Sequence, residues 1–217
     1  MKLDQAIDER KSIRAFKKDP LPRELVEEVF QQVIKAPSAL NLQPWEYIAV
    51  VGEEKERLSS LLLKSYHERK ISCSPGAKGP LPAELSARGG QSFEALKPAL
   101  NELGLSFNAF INEGSCRFYG APVAVICCMN KIFSTRQYLC MGVALGYLTL
   151  VAHARGLGTC PIGLVAAYED QVREFLDIPD DREIVIGVAL GYPDWSSPLN
   201  RAKAPRAPLS AFLNWFD

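Results

Sequence analysis

The sequence predicts an α+β fold in which a mixed, mostly antiparallel sheet is flanked by helices. Three observations predict it. Leu25, Val26, Val29, Phe30, Val33 and Ile34 form one apolar stripe at helical spacing. WEYIAVV (45–51), PVAVICCM (122–129) and EIVIGVALGY (183–192) read as strands, the second by its β-branched content. Helices and strands follow one another without a regular βαβ alternation, which disfavours a parallel sheet.

In chain order, residues 2–9 read as a short helix ending at the basic run RKSIR. Pro22 suits the first turn of the next helix. Ala36-Pro37 stops that helix, because the residue before a proline is pushed out of the α region. Gly52 ends the first strand, and residues 53–66 form a helix with Leu58, Leu61, Leu62 and Tyr66 inside. Residues 67–118 carry SPGAKGPLP and ARGGQ, then a helix at 92–103; they read as an excursion from a single domain spanning 1–217. After the strand at 122–129, an apolar helix occupies 136–155 and contains Gly142-x-x-x-Gly146. GLGTCPIGL reads as a glycine-rich loop, 168–176 as a helix, and 183–192 as the last strand.

The formal charge is zero, so nothing in the total points to nucleic acid. Its distribution is uneven. Residues 1–23 and 196–217 together carry ten Lys/Arg against five Asp/Glu, whereas the middle carries fifteen against twenty. Either both tails are solvated or both converge on one anion. Six cysteines without a CxxC pair make neither a disulfide framework nor a zinc site, which fits reduced thiols in the cytoplasm. Cys127 and Cys128 should face opposite sides of their strand. MKLDQAIDERK lacks an apolar core, so no signal peptide is expected. The eighteen residues between Arg136 and Arg155 carry no Asp, Glu, Lys or Arg, yet Gln137, His153 and two glycines favour a buried core helix over a membrane span. Walker A, GxGxxG, GxSxG and HExxH patterns are absent, and no carboxylate pair stands out. Such a chain suits chemistry carried by a cofactor that the protein binds and orients.

Four stretches resemble the flavin-dependent nitroreductase family, in its order and near its spacing: RKSIRAF (10–16), APSALNLQPW (36–45), AHARGLGTCPIG (152–163) and KAPRAPLSAF (203–212). The resemblance implies a nitroreductase-like homodimer with FMN at the subunit interface. It implies electron transfer from NADH or NADPH to a nitroaromatic, quinone-like or related small acceptor. Carried over by position, Arg10, Lys11, Ser12 and Arg14 would bind FMN. Pro37, Ser38, Ala39 and Asn41 would reach the flavin from the partner chain, and Pro161, Ile162 and Gly163 would lie beside its ring, with a backbone N–H aimed at flavin N5. Arg206 would hold the phosphate. Lys203 would join it. Cys140 stands where many relatives have a polar residue near the ribityl chain, with Gln137 one turn earlier as its substitute, and His67 stands where an asparagine is expected. Other outcomes of the same scaffold are reductive dehalogenation, flavin fragmentation, or a non-catalytic FMN-binding module.

Physical chemistry makes these assignments sensible. Arginine's planar fork binds phosphate bidentately, and a cation near a reduced flavin stabilises its negative charge. Small residues in APSALN can approach a flat ligand. The unmatched excursion has the composition of a cover, with Gly76, Gly79, Gly89 and Gly90 as flexible points. Phe93, Phe107, Phe110 and Phe118 would form an aromatic wall for the acceptor, and Arg88 or Arg117 would meet a carboxylate or simply be solvated.

Overall fold

A computed structural model describes residues 1–216. Among these residues the sheet has four strands: β1 (Trp45–Val51), β2 (Val123–Asn130), β3 (Gly158–Ile162) and β4 (Arg182–Gly191). Their order is β1-β2-β4-β3, and every neighbouring pair is antiparallel. Helices α1 (Leu3–Glu9), α2 (Arg23–Val33), α3 (Gly52–Arg69), α4 (Ala83–Glu102), α5 (Gly114–Cys116), α6 (Tyr138–Ala154) and α7 (Glu169–Leu176) surround it.

β2 is the centre of the core because both its faces are covered. Val123, Val125, Cys127 and Met129 pack with α2 and α6 on one side. Ala124, Ile126 and Cys128 pack with Leu58, Leu62 and Val172 on the other. Cys127 and Cys128 thus enter different halves of the core, as the two-residue period of a strand requires. A register shift between them absorbs one residue against β4.

One element differs from the sequence reading. GLGTCPIGL was expected as a loop, yet its middle is strand β3, hydrogen-bonded to β4 from Gly158 to Ile162. Gly158 and Pro161 look like loop residues in isolation. At a sheet edge, however, a proline's missing N–H need not break the ladder. Gly158 has a steric task instead: a Cβ there would stand 2.6 Å from Ile13 Cγ1. The glycine lets the N-terminal segment lie directly on β3.

The excursion at 67–118 is also more ordered than expected. Its helix begins at Ala83 and carries Gly89, Gly90 and Pro98 within it, so those two glycines are helical residues. Ala99 and Leu100 join Phe110 and Leu199 in a small core of their own. Buried Asn112 accepts the Cys73 N–H through Oδ1 (2.7 Å) and donates to Asn108 Oδ1 (2.8 Å). From the other side the Tyr168 hydroxyl donates to the Ile71 carbonyl (2.7 Å). Of the four expected wall aromatics, Phe118 is fully buried and Phe110 nearly so. Phe93 and Phe107 meet edge to face at 4.7 Å, and Phe107 is the exposed member of the four. Phe118 belongs to the main core, where its ring would meet a Cβ at Gly187. We therefore expect Phe118→Ala to lower unfolding free energy by about 3–5 kcal/mol in urea titration, the scale for emptying a buried aromatic site. A surface wall residue would lose well under 1 kcal/mol.

Candidate functional site

Residues 10–17 run beside β3 and the end of β4 as an added edge segment. The Ile13 N–H donates to the Thr159 carbonyl and the Lys17 N–H to the Tyr192 carbonyl, each at 2.9 Å, and the Asp194 N–H donates to the Ala15 carbonyl at 3.0 Å. The C-terminal segment reaches the same place through Asn200. This residue is 1% exposed. Its Oδ1 accepts the Arg14 N–H (2.9 Å), and its Nδ2 donates to the carbonyls of Ala15 (2.7 Å) and Asp194 (2.9 Å). One side chain therefore joins the start of the tail to the N-terminal basic run.

The consequence is a cavity of about 1060 Å³ into which Arg10, Lys11, Ser12, Arg14, Lys203 and Arg206 all converge, with Gly146, Thr149 and His153 of α6 on its wall. Five cationic side chains face Asp8 and Glu9 there. The Lys11 pKa is pushed below the ordinary lysine range, first by burial and then by the neighbouring charge of Lys203. Its ammonium also sits 5.5 Å from the Trp195 ring centroid. Two like charges held close are unfavourable without an anion between them, and a phosphate dianion removes that penalty. Arg14 Nε and His153 Nε2 are buried without hydrogen-bond partners among the described residues. The nearest carboxylate oxygen of Glu9 is 3.7 Å from His153 Nε2. Unmatched donors and crowded cations fit a terminal phosphate ester. The donor set therefore suits the FMN that the resemblance implies.

Pro161 and Gly163 are exposed on β3 and just beyond it, and Ile162 is buried between them. Pro161 lies two residues past Thr159, which pairs with Ser12, so the open end of β3 continues from the basic cavity. A Cβ added at Gly163 would meet no protein atom within 4 Å. The protein's own packing does not require glycine there, and the space in front of it is free for a ligand.

APSALNLQPW behaves differently. Its loop points outward, and Pro37, Ser38, Ala39 and Asn41 do not line the basic cavity of their own chain. Leu40, Asn41 and Gln43 take left-handed φ values of 52°, 54° and 48°. Non-glycine residues in that region store strain. The Gln43 N–H donates to Ser38 Oγ (2.9 Å) and the Ala39 N–H donates to Cys140 Sγ (3.4 Å). Buried Pro44 and Trp45 anchor the far end. Leu40, 91% exposed, is held out into solvent by a backbone that resists relaxing.

Cys140 therefore has a clear task that its mismatch to the family pattern did not indicate: it supports the loop. Gln137 Oε1 is buried without a partner. His67 is exposed and tilts against Tyr66 at 5.5 Å between ring centroids, outside the basic cavity. Lys203 lines the cavity, as expected. Sequence reading missed Asn200 and Trp195, which sit in an unremarkable stretch, DWSSPLN. Burial pushes the Cys160 thiol up to about 11 and the Cys116 thiol up to about 12, so neither is a nucleophile at neutral pH.

A model of the nitroreductase family matches residues 7–192. The chain is 31% identical to a 4-nitrobenzoate reductase of Pseudomonas putida, covering 98% of this chain and 94% of that one. It is 29% identical to a chloronitrobenzene nitroreductase of Comamonas testosteroni, covering 98% and 96%. Among solved structures, the FMN-dependent nitroreductase NfnB from Mycobacterium smegmatis in complex with NADPH superposes with a TM-score of 0.88 at 30% identity, over 100% of both chains.

Asn200→Ala removes three hydrogen bonds from a buried site. At about 1 kcal/mol each it should cost roughly 2–4 kcal/mol of unfolding free energy, measured by urea titration. The Arg14 N–H, whose acceptor is removed, should also lose its hydrogen-exchange protection. Unchanged stability would mean that the tail is held elsewhere.

Proposed function

The chain belongs to the nitroreductase family, and from that premise we propose that it is an FMN-dependent oxidoreductase passing electrons from NADH or NADPH to small nitroaromatic or quinone-like acceptors. The observation that carries the reading is the convergence of five cations from the two chain ends on one cavity that also holds buried, unmatched donors. When bound there, the flavin supplies the electron transfer between nicotinamide nucleotide and acceptor. The protein's part is to bind, orient and exclude water. Arg10, Lys11, Lys203 and Arg206 neutralise the phosphate. Ser12 and Arg14 hold the parts that follow it. Pro161, Ile162 and Gly163 present the backbone at the open end of β3. Buried thiols leave no nucleophile at the cavity, and the one carboxylate–imidazole contact on its wall, Glu9 with His153 at 3.7 Å, lies on the phosphate side, where it has no bond-making role.

The same proposal includes a homodimer. α6 buries Met141, Ala144, Leu148 and Ala152 against the sheet. Its opposite face presents Leu139, Gly142, Val143, Gly146 and Tyr147 to solvent, with no charge anywhere in the helix. By length and composition Thr135–Ala154 is apolar enough to cross a membrane. The expected buried core helix is only half realised in the single chain: one face packs on α2 and the sheet, and a second apolar face is left to cover. The strained 36–43 loop borders this face through Cys140. A partner chain covering α6 receives that loop, which places Pro37, Ser38, Ala39 and Asn41 at the partner's flavin. The exposed Phe212, Trp215 and Phe216 of the tail find cover in the same assembly. Six free thiols suit a cytoplasmic setting. The excursion from 67 to 118 then borders the acceptor's side of the flavin, with Phe107 as its exposed aromatic.

The test is direct. Purified protein is denatured and its flavin identified by chromatography. Reduction by NADH and by NADPH is followed at the flavin absorbance, and reoxidation is tested with nitrobenzoate and a quinone. The proposal expects FMN, anaerobic reduction, and reoxidation by at least one acceptor, in a particle that sediments as a dimer. Bound FMN that no nucleotide reduces marks a non-catalytic module, and FAD or a stable FMN-loaded monomer contradicts the site as described.

A further inference from the structure

A second cavity, of about 840 Å³, shares Arg14 with the first but opens between α3 and the turns around residues 105–120. It lies within the size range of small-molecule sites. Its lining is polarised. Lys18, Arg117 and Arg14 supply positive charge, while Leu63, Leu105 and Phe110 supply an apolar wall. None of those three cations enters an ion pair among the described residues, whereas Lys55, also on the lining and 3% exposed, is paired with Glu56 at 3.0 Å. Glu113 is the one further carboxylate on the lining, so the cavity carries a net positive charge of two.

A second observation is independent of charge. Ser59, on the same lining, is 5% exposed. Its Oγ is buried without a hydrogen-bond partner. Buried polar atoms are nearly always matched, and an unmatched donor costs about 1–3 kcal/mol. Ser59 lines this cavity and not the basic one, so its Oγ marks a place here where the protein's own hydrogen bonding is incomplete.

The two halves of the lining together narrow the ligand. A bare inorganic anion leaves the wall of Leu63, Leu105 and Phe110 wet. A neutral aromatic leaves three cations and the unmatched Ser59 hydroxyl unused. We propose that this cavity is a second ligand site, separate from the flavin site, that takes a small aromatic carboxylate. The ring packs on Phe110 and Leu63 and the carboxylate is held by Lys18 and Arg117, with Arg14 behind. Nothing in the flavin reading requires this site, and it stands or falls apart from it.

The experiment uses the FMN-loaded protein. Crystals are soaked in 4-bromobenzoate and the bromine is located by anomalous scattering, while benzoate binding in solution is followed by calorimetry. Lys18 and Arg117 are both exposed, so the double variant K18E/R117E reverses two surface charges without disturbing the core. The expected result is a bromine peak beside Phe110, absent in the double variant, and one class of benzoate site at least tenfold weaker there. FMN content and nucleotide-driven turnover stay as in the parent protein, and so does any benzoate-induced change in the flavin spectrum. Bromine found only at the flavin, or benzoate affinity unchanged in K18E/R117E, overturns the proposal. A peak at soaking concentration with no calorimetric counterpart is binding at crystal concentration only and overturns it equally. Loss of flavin from the parent protein itself would instead count against the flavin site.

Discussion

Asn200 holds the two ends of the chain together through one buried side chain that accepts from Arg14 and donates to Ala15 and Asp194. Everything distinctive about the basic cavity depends on that clasp. Without it, Arg10, Lys11 and Arg14 on one strand edge and Lys203 and Arg206 on the tail have no reason to face one space. Gathering them has a cost: the Lys11 pKa is lowered first by burial and then by the charge of Lys203. The backbone ladder from Ile13 to Lys17 and the three bonds of Asn200 supply the free energy that opposes this cost. The assembled charge then has strong preference for a dianion.

The same logic of stored cost runs through the 36–43 loop and α6. Three left-handed non-glycine residues in close succession are kept in place by Ser38, Cys140 and the buried Pro44-Trp45 anchor. Leu40 stands out beside an uncharged helix face. Both features are unfavourable in a lone chain, and the partner chain of the proposed homodimer would relieve both by covering the helix and receiving the loop. In the homodimer proposed above, cofactor binding and subunit association would be two aspects of one surface, with the loop as their shared part.

Much of the fold was legible because its signals are local. β1 runs over the predicted residues, 45–51. The stripe from Leu25 to Ile34 gave α2, and the β-branched run gave β2. β3 escaped because its glycine and proline have meanings that only the sheet edge reveals: Gly158 makes room for Ile13, and Pro161 needs no N–H partner there. α4 was drawn too short because Gly89 and Gly90 lower helix propensity, and contacts of Leu100 with Leu199 and Phe110 outweigh that deficit. Phe118 was assigned to a wall by composition, whereas burial is a long-range property that composition does not carry. At the site, the charge segregation left solvated tails and convergence both open; the motif resemblance named Arg10, Lys11, Arg14 and Arg206, and the fold puts all four on one lining. The clasp that brings them there did not announce itself, because an asparagine in a short polar stretch looks the same whether it is buried or solvated. The loop residues 37–41 carry no sign in a single chain of what they face.

A cavity built for a terminal phosphate by charge converging from both chain ends must distinguish FMN from riboflavin. Comparing the affinities of the flavin-free protein for FMN and for riboflavin tests this most directly, since the two ligands differ by the phosphate alone. The account predicts that FMN binds at least about 100-fold more tightly at low salt, equivalent to roughly 2.7 kcal/mol, and that the gap narrows as salt screens the cations. Equal affinities for the two ligands, or a gap indifferent to salt, would contradict it.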